Sequence, residues 1–167
     1  LRILLMLLLF AATPAAAQDG LHARPTLVLD PGFHTAPIRR ADAAAGVAVT
    51  ASDDKTVRVF DLADGRHLRT IRLPAGPGNV GKAYAVAISP DGALVAAGGW
   101  TRWTPDDPQD QIYLFDRASG ALVQRLDGLP TTTVKHLAFS PDGRFLAAAL
   151  GLGEGLRVFD RARAWAE

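Results

Sequence analysis

The 167-residue chain contains no cysteine. Disulfides, thiolate nucleophiles and cysteine-ligated zinc are therefore excluded. Neither sign of charge is in excess: 18 lysines and arginines face 17 acids, for a net charge of +1. No basic stripe runs along the sequence, so nothing predicts a nucleic-acid partner. The adjacent pair Arg39–Arg40 reads as a solvated strand edge. Catalytic patterns are equally scarce. His22, His34, His67 and His136 are scattered, and neither a G-x-S-x-G elbow nor an HExxH pair occurs. Only one long apolar run is present, and it lies at the start.

That run, Ile3 to Ala12 behind Arg2, is followed by Thr13, Pro14 and Ala15-Ala16-Ala17. A short apolar core ending in small-x-small has the form of an export leader, because signal peptidase admits only short side chains. The run falls short of the about 20 residues that span a bilayer. Cleavage after Ala17 is expected, leaving Gln18 as the new terminus of a periplasmic or secreted protein with no membrane insertion. Residue 1 is leucine, which suggests a start further upstream or a non-standard start codon.

Beyond the leader the sequence repeats itself. SPDG stands at 89–92 and again at 140–143, and a Phe-Asp pair recurs at 60–61, 115–116 and 159–160. Asp61 and Asp116 are 55 residues apart, Asp116 and Asp160 are 44 apart. The shorter spacing matches a four-stranded propeller blade of roughly 40–45 residues, and the longer one is the same unit with an insertion. Around these points Val57, Val59 and Asp61 alternate with Arg58 and Phe60, a period-two pattern for a pleated surface. SPDG, DLADG and DRASG are turns, with Pro presetting φ and Gly closing them. The expected fold is all-β, a partial propeller of about three four-stranded antiparallel blades, the third incomplete. Strands are expected near 36–42, 46–51, 56–61 and 66–73, then 83–88, 93–98, 111–116 and 121–126, then 134–139, 144–150 and 155–160, with a fourth strand of the last blade beginning at Arg163–Trp165. The blades would occupy about 34–73, 82–126 and 133–167, behind an amino-terminal segment 18–33.

The stretch ASDDKTVRVFDLADGRHLRTIRL resembles a WD-repeat blade, and Gly32-Phe33-His34 sits where that family places its Gly-His pair. The resemblance extends over residues 26–160. It implies a hydrogen-bonded tetrad of histidine, hydroxyl, turn aspartate and tryptophan, here His34, Ser52 and Asp54, with Phe60 where tryptophan is expected. Phe60 has no N–H, so the chain of bonds would stop at Ser52. Blades two and three lack the Gly-His pair. The leader and loops are similar to those of exported bacterial WD-repeat proteins, some of which are fused to a caspase-like domain. The resemblance also implies that 26–30 is a ring-closing strand and that the chain is the amino-terminal part of a longer protein, free to self-associate through open blade edges.

Two irregular segments remain. Residues 76–82 (GPGNVGK) satisfy G-x-G-x-x-G, but a phosphate loop must lead into a helix, and Ala83 onward reads as a strand. The insert 100–110 carries Trp100, Arg102 and Trp103, residue types that dominate binding hot spots. These three are the candidate partner-binding residues. Asp106, Asp107 and Asp110 lack EF-hand spacing. The insert, the Gly-rich 151–155 and the loop 76–82 are expected on one face of the propeller. The leading expectation is a non-catalytic scaffold for a protein or peptide, with no cofactor, no metal and no catalytic residues. A regulatory propeller of a larger caspase-like peptidase is the alternative. A lactonase-type propeller enzyme comes third, since AYAVAIS and VKHLAFS offer no inward carboxylates.

Overall fold

The computed structural model describes residues 30–101, 110–130 and 133–167. The leader, most of segment 26–30 and the centre of the insert, with Arg102 and Trp103, lie outside the described residues. Three antiparallel sheets follow one another along the chain. The first contains β1 (Ile38–Ala44), β2 (Val47–Ser52), β3 (Thr56–Asp61) and β4 (His67–Arg72). The second contains β5 (Ala83–Ile88), β6 (Leu94–Gly99), β7 (Ile112–Asp116) and β8 (Leu122–Leu126). The third has β9 (Val134–Phe139), β10 (Phe145–Leu150) and β11 (Leu156–Asp160). Each is a simple meander, each strand pairing with the next in sequence. The first strands β1, β5 and β9 pack side by side, so the sheets stand as consecutive blades.

The hairpin turns do what their residues dictate. In SPDG at 89–92, Leu94 N–H donates to Ser89 Oγ (2.9 Å) and Ala93 N–H to Asp91 Oδ1 (2.9 Å). Ser140 and Asp142 repeat both bonds with Phe145 and Arg144. Gly92 sits at φ 70°, and a Cβ there would lie 2.7 Å from Ala45 Cβ, so glycine is required twice over. The aspartates that end the third strands are turn caps: Asp61, Asp116 and Asp160 accept from the N–H groups of Ala63, Ser119 and Ala162.

The core lies between the sheets. Val49, Ala51, Val57, Val59 and Ile71 of sheet one meet Val86, Val95, Tyr113 and Phe115 of sheet two. The opposite face of sheet two places Ala85, Ala96, Ile112 and Leu114 against Leu137, Leu146, Ala148 and Phe159 of sheet three. Sheet two is therefore covered on both faces, which is why β6 is buried at every position. Each large apolar side chain so buried contributes about 1.5–3 kcal/mol. The outward face of sheet three leaves Leu156 and Val158 exposed.

The expected fourth strand of blade three is not a strand. Arg161–Arg163 form one 3₁₀ turn, and pairing resumes only at the Asp160–Ala166 bridge. Ala164 and Trp165 adopt φ 53° and 63°, in the turn where the other blades use Gly65 and Gly120 at φ 73° and 74°. The Trp165 ring compensates for this unfavourable backbone by packing edge-on against Phe139, 5.9 Å between centroids.

Candidate partner-binding face

The meander topology divides the connections between two ends of the sheets. One end carries only tight hairpins, at 45–46, 62–66, 89–93, 117–121 and 140–144. The other, upper, end carries the links between second and third strands (53–55, 100–111, 151–155) and the blade-to-blade loops (73–82, 127–133). Backbone bonds tie these upper loops together: Gly81 N–H donates to Trp100 O (2.6 Å), Trp100 N–H to Lys82 O (3.0 Å), and Gly151 N–H to Thr133 O (2.9 Å). The glycines of GGW allow this contact. A Cβ on Gly99 would lie 2.1 Å from the Lys82 carbonyl oxygen, and one on Gly98 2.9 Å from Val134.

At the upper end of blade one, His34 reaches three side chains, Thr56 Oγ1 being 3.3 Å from its Nδ1. Its Nδ1 is 2.8 Å from Asp54 Oδ2 and its Nε2 is 2.7 Å from Thr50 Oγ1. The hydroxyls that meet the histidine are thus those of Thr50 and Thr56 and not that of Ser52, which corrects the expected pairing. Both hydroxyls fall on one face of β2, but Ser52 Oγ donates to the Ala36 carbonyl (3.0 Å) and accepts from Asp54 N–H (3.1 Å), fixing the turn instead. Asp54 accepts further bonds from Thr56 Oγ1 (2.7 Å), Thr56 N–H (3.1 Å) and Thr35 N–H (3.0 Å). Burial, the largest single influence on Asp54, raises its pKa, yet the bonds from Thr56, His34 and Thr35 together hold it below the usual carboxylate value. Phe60, on β3, meets the His67 ring at 5.6 Å.

Beside this network lies one that the sequence did not reveal. Arg58 is buried on β3 and donates to Asp30 Oδ1 (2.8 Å) and Thr70 Oγ1 (3.1 Å). Bonds from Thr70, Gly32 N–H and Arg58 hold the Asp30 carboxyl far below its ordinary value.

Blade two closes its upper end differently. Thr101 N–H donates to Asp110 Oδ1 (2.7 Å), Gln111 N–H donates to Thr101 Oγ1 (3.0 Å), and the Tyr113 hydroxyl donates to Gln111 Oε1 (2.8 Å). All four residues are buried. They form the neck of the insert whose first residue is the half-buried Trp100. This neck unites residues about ten positions apart, and no motif announces it.

The loop 76–82 folds on itself, with Gly76 N–H donating to Val80 O (3.2 Å) and Lys82 N–H to Asn79 O (2.9 Å). It enters β5 directly, so it offers no helix terminus to a phosphate. Lys82 Nζ lies 3.9 Å from Asp53 Oδ2. Arg39 also grips Asp53, through Nε to Oδ1 at 2.8 Å and through Nη2 to Oδ2, and this pairing is the main cause of the lowered Asp53 pKa. Among the described residues no group of three or more His, Asp or Glu side chains converges as a metal site would require.

With this geometry in place, the chain can be set beside known proteins. Residues 120–160 match the model of the WD domain, G-beta repeat. Residues 120–160 carry a WD40 repeat. It is similar to the small ribosomal subunit protein RACK1 of Caenorhabditis elegans, 32% identical over 114 residues, which cover 68% of this chain and 30% of that protein. A periodic tryptophan protein 2 homolog of Dictyostelium discoideum is 33% identical over 103 residues, 62% of this chain and 10% of that one. An uncharacterized WD repeat-containing protein, sll1491, of a Synechocystis strain is 36% identical over 115 residues, covering 66% and 28%. The chain spans less than a third of the length of each of these relatives.

Proposed function

We propose that this chain works as a non-catalytic scaffold that binds a protein or peptide at the upper end of its blades, and that it does so in the cell envelope after removal of residues 1–17. The observation that carries the reading is the asymmetry between the two ends. Every hairpin at the lower end is short, while the insert 100–111 and the loops 73–82, 127–133 and 151–155 all lengthen the upper one. Loops held on a rigid scaffold are where binding residues concentrate. Trp100, Arg102 and Trp103 are the proposed anchors.

The test is selection of peptides from a random display library against the full chain, followed by replacement of Trp100 and Trp103 together by alanine. Loss of about 2 kcal/mol, roughly 30-fold in affinity, is expected if both are hot spots, with circular dichroism unchanged. Selected peptides that bind the double variant equally well would move the surface elsewhere. Export is tested separately: the chain expressed with its leader in a Gram-negative host should begin at Gln18 and appear in the periplasm, and an uncleaved cytoplasmic product would contradict it.

A further inference from the structure

The second residue of each blade's first strand is Arg39 in β1, Tyr84 in β5 and Lys135 in β9. Because these strands stand side by side, the three side chains meet at the upper end although they are distant in sequence. The Arg39 guanidinium carbon lies 5.6 Å from the Tyr84 ring centroid, and Lys135 Nζ lies 5.5 Å from it. The ring face of an aromatic attracts each cation by about 0.5–1 kcal/mol at an exposed site. That attraction holds two like charges around one ring, where both act on whatever approaches it.

The local charge is not balanced. Arg39 and Lys82 share a single carboxylate, Asp53, and among the described residues Lys135 has no acidic partner. The neighbouring Asp54 is turned into the His34 network and its side chain is 6% exposed, so it screens little. Arg39 and Lys135 are both exposed, and Tyr84 between them is half-buried.

Resting on the scaffold reading above, we infer that the partner segment is an acidic peptide, whose carboxylates are received by Lys135 and Arg39 across the face of Tyr84. The patch is one aromatic ring with two flanking cations and Lys82, too small to neutralise a run of phosphates as a nucleic-acid groove does. It suits one or two carboxylates on an otherwise ordinary peptide.

Fluorescence anisotropy of the full chain with labelled, carboxyl-amidated decapeptides tests the inference. One alternates glutamate with glycine, a second carries glutamine in place of glutamate, and labelled oligothymidylate is a third probe. The glutamate peptide is expected to bind at least about 10-fold more tightly than the glutamine one, and to weaken as salt is raised. Lys135→Glu should abolish most of that preference. Arg66→Glu, an equal change in net charge in the lower-end turn 62–66, should leave it intact.

Equal binding of the glutamate and glutamine peptides would overturn the acidic inference. Equal loss in both variants would do the same, showing a response to bulk charge. Tighter binding of oligothymidylate would replace a peptide with a nucleic acid. The two proposals fail separately. If display-selected peptides bind through the tryptophans without regard to charge, only the acidic preference falls; if no peptide of any charge binds, both fall.

Discussion

Blades one and two close the same end of the same repeat with different chemistry. In blade one the tie is ionic and polar: His34 bridges Asp54 and Thr50, and Arg58 is buried against Asp30. In blade two the corresponding sites are Gln111 for Thr56, Ala97 for Thr50 and Tyr113 for Arg58, and the tie joins the uncharged Gln111 and Tyr113 to a neck in which Asp110 accepts from Thr101 N–H. The face of blade two that bears Tyr113 and Phe115 packs on sheet one, so large apolar bodies are stabilising there. In blade one the segment from Asp30 to Ala36 supplies hydrogen bonds to Asp54, Ser52 and Arg58. The repeat thus keeps its strand geometry while the residues that lock its upper end differ from blade to blade.

The largest effect should come from the dry side of this comparison. Tyr113 is wholly buried, and Tyr113→Ala should destabilise the chain by about 3–5 kcal/mol, the range for deleting a core aromatic. Thermal or urea melting checks this. A loss below about 1 kcal/mol would mean that the interface between sheets one and two is not the main source of stability.

His34→Ala should cost less, about 1–3 kcal/mol, because Asp54 loses one donor but keeps Thr35 and Thr56. Hydrogen exchange should show the loss confined to β1–β3. Spread into β6 and β7 would show that the two ties are coupled.

Acid should act on the upper-end tie of blade one. Asp30, Asp53 and Asp54 all have lowered pKa values. Groups of this kind stabilise the fold fully above their unfolded value of about 3.9, and that contribution is lost as pH falls through their folded values. Amides at 53–56 should therefore lose exchange protection below about pH 4, before those at 112–113, since the Gln111–Tyr113 bond does not titrate. Simultaneous loss would count against an ionic tie in blade one.

The smallest change is a gain. Phe60 stands where a WD40 blade ordinarily carries tryptophan, and Phe60→Trp supplies an N–H on the face that holds Thr50. Stabilisation by about 0.5–1.5 kcal/mol is expected, the worth of one hydrogen bond, read as a shift in the urea midpoint. Destabilisation would show that the site is shaped around the Phe60–His67 contact.

Much of this architecture is legible in the chain. SPDG and the Phe-Asp pairs locate the turns because their bonds are local, made between residues two to five apart. His34 and Asp54 were legible through the WD40 resemblance, but the choice of Thr50 over Ser52 was not. Both hydroxyls lie on one face of β2, and only the path of residues 34–36 decides which one meets the histidine. The turn at 163–165, where a strand is expected, is not legible because Trp165 occupies a left-handed conformation that sequence rules reserve for glycine. The neck Thr101–Asp110–Gln111–Tyr113 and the Arg39–Tyr84–Lys135 stack had no local signal at all. Each depends on chain segments brought together only after the strands pair and the blades stand side by side.

The central claim, that the upper end of the blades receives a peptide while the lower end does not, can be read in one experiment. Hydrogen exchange of the full chain should be followed with and without a display-selected peptide at saturation. Slower exchange at 76–84, 99–101 and 133–136, with the turns at 89–93 and 140–144 unchanged, is the predicted result. Protection at those two lower turns with none at the upper end would contradict it.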